Sequence, residues 1–318
     1  MIMAREFSFI SQHETHATSA SELMELAGLD WTVSLNRLYA SGSFDVIDVP
    51  DKFATVKTDK NNNESVLSVV GSRYKVFQNS EIFSPLDRIV SDGSGVYGNA
   101  GELGGGKVVW ATVKLPNPIH VGNDEHMGYI VARTSHDGST PFQMTPMLNR
   151  IGCTNQINAM MMSGKTRGLY YSVRHSLNSV IDNDTIISMY RNSLKDITEY
   201  ANVSRWLLGE KFNDGDFASF TRMVYPMPSL LDSMDEDMLS PTQVRTRNKI
   251  LSARTNALTI WNGETLTQEG IAGTKFAAFQ SIVEATDWNG KPLDKIEANI
   301  LTGKDIPIKA RALELLRG

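Results

Sequence analysis

The stretch GELGGGKVVWATVKLP, Gly101 to Pro116, admits two readings, and they lead to different architectures. Four glycines and a lysine suggest a loop that cradles a nucleotide phosphate, with a helix opening behind it so that its first N–H groups point at the anion. The residues after Lys107 do not open a helix. Val108, Val109, Trp110, Ala111, Thr112 and Val113 alternate and branch like a strand, and no Ser or Thr follows the lysine to hold magnesium. The glycines lead into a strand, and a nucleotide loop is set aside.

Outward from this strand, short elements follow one another. Val66-Leu67-Ser68-Val69-Val70 reads as a strand ending at Gly71, and Asp59 to Ser65 (DKNNNES) as an exposed turn. Ile82, Phe83, Leu86, Ile89 and Val90 keep helical spacing, with Asn79 or Ser80 as cap. Strands are predicted at 107–115, 127–134 and near 142–145, helical character at 154–162, and a strand again at 169–174. From Asp182 the chain reads as helices, at 215–224, 241–260, 270–286 and 308–317 after a first one capped by Asp182 or Asp184. The plan is α+β: an antiparallel meander packed with helices, then a mostly helical C-terminal part. Three segments are expected: an acidic, poorly structured arm ending in a short helix at 1–42 with an edge hairpin up to 65, a core over 66–181, and a helical region over 182–318.

Composition narrows the classes. Of 318 residues, 41% are apolar and 21% charged, which fits a globular chain with a real core. No run of about 18 uncharged apolar residues occurs, so no membrane span is expected. The opening MIMAREFSFISQHETH lacks a signal-peptide pattern, and the lone Cys153 fits a reducing cytoplasm. Net charge is −5, but its distribution is uneven. No acidic residue falls between Asp137 and Asp182, where Arg150, Lys165, Arg167, Arg174 and His175 lie. A second acid-free stretch, Met238 to Gly263, holds Arg245, Arg247, Lys249 and Arg254.

Enzyme chemistry finds no foothold. Ser135-His136-Asp137-Gly138-Ser139 sets a His beside an Asp, but neighbours on a strand point to opposite faces, and Asp-Gly is a turn signal. No histidine is spaced to complete a metal set, and no nucleophile elbow or kinase signature occurs. No catalytic residue, metal or cofactor is assigned. By contrast, Lys165-Thr166-Arg167-Gly168-Leu169-Tyr170-Tyr171-Ser172-Val173-Arg174 interleaves cations with rings. Single-stranded nucleic acid asks for that mixture, cations for phosphates and flat rings for bases, with stacking contributing about 1–3 kcal/mol per base. The same residues equally suit a solvated basic hairpin whose tyrosines pack in the core. Arg245, Lys249 and, nearly, Arg247 share one face of the 241–260 helix, where no acidic neighbour offsets their repulsion.

Five collinear blocks, VVGSRYKVFQNSEIFSPLD (Val69 to Asp87), GELGGGKVVWATVKLP (Gly101 to Pro116), YIVARTSHDGS (Tyr129 to Ser139), RIGCTNQIN (Arg150 to Asn158, with VRHS after it) and GTKFAAFQSIVEATDW (Gly273 to Trp288), resemble a phage/plasmid-like family long of unknown function. The resemblance spans about 66–290. The chain departs from that pattern at Thr154-Asn155, where the family order is Asn-Thr, and at Thr286-Asp287-Trp288, where it is Val-Asp-His. The family's core is similar to single-strand annealing proteins of the Rad52 and Redβ type. That resemblance implies a homo-oligomeric ring or filament that holds single-stranded DNA in a basic groove and anneals it without ATP. Backbone contacts are then expected from Lys107, Arg133, Arg150, Lys165, Arg167, Arg174, Arg245, Arg247 and Lys249, and stacking from Tyr170 or Tyr171. The alternative is a structural or host-interaction protein whose basic segments meet acids such as Asp235-Glu236-Asp237.

Overall fold

The computed structural model describes residues 16–150, 156–158, 171–263, 265–288, 295, 299 and 304–318. Helix α1 (Ala20–Leu26) is capped by Ser19, whose hydroxyl accepts the Glu22 N–H. Strands β1 (Thr32–Ser41), β2 (Val46–Thr58) and β3 (Glu64–Gly71) then form an antiparallel sheet in chain order. The predicted turn lies between β2 and β3, where the Asp59 carboxylate accepts the N–H groups of Asn61 and Asn63. The expected unstructured arm is corrected over 32–41, which pairs along β2. A register shift between Arg37 and Tyr39 breaks the period of two, and this hides the strand in the sequence.

Helix α2 (Asn79–Ser91) buries Ile82, Phe83, Leu86 and Ile89, the spacing that predicted it. Its cap is Gln78, one residue before the expected position, and the Gln78 N–H donates to the Glu81 carboxylate at 2.8 Å. A second antiparallel sheet has seven strands among the described residues: β4 (Val96–Leu103), β5 (Val108–Lys114), β6 (Ile119–Val121), β7 (Asp124–Ser135), β8 (Phe142–Arg150), β9 (Gln156–Asn158) and β10 (Tyr171–Val173). The main path is β10-β8-β7-β5-β4, with β6 on β7 and β9 on β8. Gly104, Gly105 and Gly106 turn β4 into β5 with φ of 63°, 71° and 103°, values that favour glycine. The glycine run is therefore a hairpin turn, and β5 lies inside the sheet. Two expectations change here: β8 runs to Arg150, and 156–158 is a strand rather than helix. Its pairing with Met147–Asn149 overrides the helical preference of the local sequence.

Helices α3 (Asn183–Gly209), α4 (Asp214–Val224), α5 (Ser229–Ser233), α6 (Pro241–Trp261), α7 (Lys275–Trp288) and α8 (Ile306–Arg317) complete the α+β fold. Asp182 caps α3, as expected. Helix α7 is buried on nearly every side and packs against α3, α6, α8 and β9, so it is the axis of the helical part. One face of the large sheet (Val109, Ala111, Ile130, Ala132, Phe142) joins α2, α3 and α7 in one cluster that also takes Leu23 and Leu313. The other face carries Trp110, Met127, Tyr129, Val131 and Met147, packed with Leu103 and Trp288. Among the described residues no helix is long and apolar enough to cross a membrane.

Candidate nucleic-acid interface

The large sheet has two unlike ends. At the turn end lie the β4–β5 turn, the β7–β8 turn and the exit of β10. Hydrogen bonds tie the three together and fix the loop between β3 and α2 beside them. The His136 N–H donates to the Lys107 carbonyl at 2.7 Å, and the Tyr74 hydroxyl to the Ser135 carbonyl at 2.8 Å. His175 lies within 2.8 Å of both the Lys75 carbonyl, through Nδ1, and the Thr134 hydroxyl, through Nε2. The Tyr74 ring stacks on His175 at 4.8 Å and 11°.

Behind this surface the support is buried. His136 Nε2 lies 2.9 Å from Asn79 Oδ1, and Asn79 Nδ2 donates to the Leu29 carbonyl at 2.8 Å. Trp31 meets His136 edge-on at 5.2 Å and holds the Lys57 ammonium over its ring at 4.3 Å. A Cβ on Gly106 would come within 3.2 Å of both Trp31 and Lys57, so close approach as well as φ calls for glycine there. Burial pushes the His136 imidazole down to about 4, helped by His175 nearby, and burial lowers His175 too. Both rings are neutral near pH 7 and act as scaffold rather than as cations.

In front, Arg73, Lys107 and Arg174 are exposed. Lys75 is half-buried, donates to the Ser179 carbonyl at 2.7 Å and lines a cavity of about 210 Å³ with Phe77, Glu81 and Ser84. Two strands separate Lys107 from Arg174, which places them about 14 Å apart across the sheet. Three carboxylates lie at this end: Asp137 accepts the Ser139 N–H at 2.8 Å in the β7–β8 turn, Glu81 accepts the Gln78 N–H at 2.8 Å, and Glu102 pairs with Lys57 at 2.8 Å.

The predicted residues divide. Lys107 and Arg174 stand on this rim. Arg150, also expected to contact phosphate, is corrected: it is 3% exposed at the opposite end of the sheet. There it pairs with Asp124 at 2.7 Å and donates to the Thr267 carbonyl at 2.7 Å, locking the sheet to the turn before α7. Arg133 is likewise corrected, since it is buried on β7 and donates to Gln143. Tyr171 is a core ring, edge-on to Phe142 at 5.8 Å, with its hydroxyl bonded to the Asp182 N–H. It cannot stack on a base. Lys165, Arg167 and Tyr170 lie outside the described residues.

Arg245 and Lys249 are exposed one turn apart on α6 and form no ion pair among the described residues. Arg247 turns inward toward the Met234 carbonyl, and Arg254 binds the Tyr225 carbonyl at the end of α4 with two donors, at 3.0 and 2.8 Å. Helix α6 packs on α4, α5 and α7, in the part of the molecule that joins the sheet at the Arg150 end. The two acid-free segments thus serve different places. Arg73, Tyr74 and Lys75 were missed because residues 1–100 carry more acid than base; the signal was the SRYK run inside a block read only for resemblance.

Among the described residues no group of three or more His, Cys, Asp or Glu could hold a metal ion. Residues 66–312 match the family described as Domain of unknown function (DUF932), well over half of the chain, and the chain belongs to that family. No curated protein and no solved structure matches it.

Proposed function

We propose that this member of the DUF932 family binds single-stranded DNA along the turn end of its large sheet and anneals it to a complement without ATP, as an oligomer in the host cytoplasm. The observation that carries the reading is the convergence of Arg73, Lys75, Lys107 and Arg174 around a stacked Tyr74–His175 pair, on loops tied by backbone hydrogen bonds. Three of these cations are exposed to water. A flexible polyanion suits them, because each cation neutralises a phosphate and releases a counterion. Neutral His136 and His175 keep the loops in place without adding charge that varies with pH. Fluorescence anisotropy with a labelled oligonucleotide across a salt series tests this. Affinity should fall steeply with salt, and the paired substitution R73E/R174E should abolish binding at low salt while the fold is kept. No binding by the native chain at low salt overturns it.

A second reading, a phage structural or host-interaction protein that meets a protein partner, is favoured by the exposed Tyr39, Phe44, Val46 and Ile47 on the β1–β2 hairpin. Under it, R73E/R174E disturbs assembly or partner binding, and the oligonucleotide is irrelevant.

A further inference from the structure

The cavity of about 210 Å³ beside Lys75 is built from the same two segments that carry cations of the turn end. Lys75 and Phe77 follow Arg73 in the loop from β3 to α2, and Glu81 and Ser84 stand on the first turns of α2. The remaining wall is Val180 and Ile181, at the end of the connection that runs from Arg174 to α3. A strand whose phosphates meet Arg73 and Arg174 therefore passes this opening.

Its polar groups are held in place before any ligand arrives. Lys75 Nζ donates to the Ser179 carbonyl at 2.7 Å and sits 5.3 Å from the centre of the Phe77 ring. The Ser179 N–H donates to the Ser176 carbonyl at 2.9 Å, and the two serine hydroxyls bond at 2.6 Å, which tightens the connection. Glu81 accepts the Gln78 N–H at 2.8 Å, and a carboxylate with about four lone-pair sites keeps capacity for a ligand. The tied connection still leaves Leu177 and Val180 open, at 63% and 73% exposure. One cation, one carboxylate and one hydroxyl beside an apolar wall suit a flat ring with a polar edge. The volume falls below the roughly 300–1,000 Å³ of sites for drug-sized ligands, which fits one base with its sugar and phosphate outside.

We infer that this cavity receives one base of the bound strand and prefers guanine. The inference rests on the single-strand reading proposed above. A carboxylate only accepts hydrogen bonds, so it selects a base edge that donates. Guanine offers two adjacent donors, N1–H and the N2 amino group, beside the O6 acceptor. Glu81 suits the donors and the Lys75 ammonium suits O6, while Phe77, Val180 and Ile181 supply the apolar wall against the ring. Cytosine and adenine offer a single amino group, and thymine sets its N3–H between two carbonyls that the carboxylate repels.

Fluorescence anisotropy of the full chain at low salt tests this, with a labelled all-dT oligonucleotide and the same strand carrying one central dG, dA or dC. The dG strand should bind about fivefold or more tightly than all-dT, the lower end of what a paired base contact discriminates. E81Q keeps the helix cap, because Gln accepts the Gln78 N–H as Glu does, and should bring the dG and all-dT affinities within about twofold of each other. S84F fills the cavity from an exposed helix position and should also erase the preference, with an unchanged melting curve. Equal affinity of the native chain for all four strands overturns this inference and leaves the single-strand reading standing. A preference for dA, dC or dT overturns it, as does a dG preference that survives either variant. Binding to none of the strands overturns both.

Discussion

The two ends of the large sheet use the same residue types to opposite ends. At the turn end, Arg174 and Lys107 face water while His136 and His175 hold the loops behind them. At the other end, Arg150 is sealed between Asp124 and the Thr267 carbonyl, with His126 buried near Tyr200 and Phe276. Arg150 and Arg174 come from one acid-free segment, yet one is a bolt and the other a surface charge. A cation without acids near it in sequence is not thereby without acids in space. Asp124 lies outside the depleted stretch and reaches Arg150 across the β7–β8 ladder, where His126 pairs with Arg150.

Substitutions can break this contrast. Arg150→Ala strands Asp124 and an inward carbonyl, and should cost about 3–5 kcal/mol, read by urea denaturation. Next comes acid. The folded pKa of His126 is lowered to about 3 and that of His136 to about 4, below the ordinary value near 6.5. The unfolded chain therefore binds more protons as pH falls below that value. The stability these neutral rings allow is complete above pH ~6.5 and drains on acidification, by roughly 1 kcal/mol per pH unit for each ring, until the folded pKa is reached. Denaturation midpoints between pH 7.5 and 5 check this, and His136→Gln should flatten the slope while leaving the part due to His126 and His175, which burial also lowers. Gly106→Ala adds a left-handed alanine pressed on Trp31 and Lys57, worth about 1–3 kcal/mol in a thermal melt. Smallest in stability are Lys107→Ala and Arg174→Ala, within about 0.5 kcal/mol. If the turn end is the binding surface, each should instead reduce the salt slope of oligonucleotide binding by about one.

Much of this fold was legible in the sequence because local pattern and tertiary role agree. In α2 the apolar residues fall at helical spacing and all meet the core, and the branched run after Gly106 is the inner strand it resembles. Legibility fails where packing from a distance overrides local preference. Nothing near Gln156 announces that β8 will take it as an edge strand, and the bulge after Arg37 erases the alternation that marks β1. The candidate site was half legible for the same reason. Lys107 could be placed because its turn is local, whereas the pairing of Tyr74 with His175, about a hundred residues away along the chain, is a property of the closed sheet.

The bond from Arg150 to Thr267 spans 117 residues, and this orders events during synthesis. Strand β8 leaves the ribosome long before the carbonyl that completes its last arginine exists, and α7, which fills the space beside it, comes later still. A nascent chain halted before Thr267 keeps a half-satisfied guanidinium and an open apolar seam, the features by which chaperones and proteases recognise unfinished products. Closure of the seam beside β8 therefore waits for residues more than a hundred positions downstream.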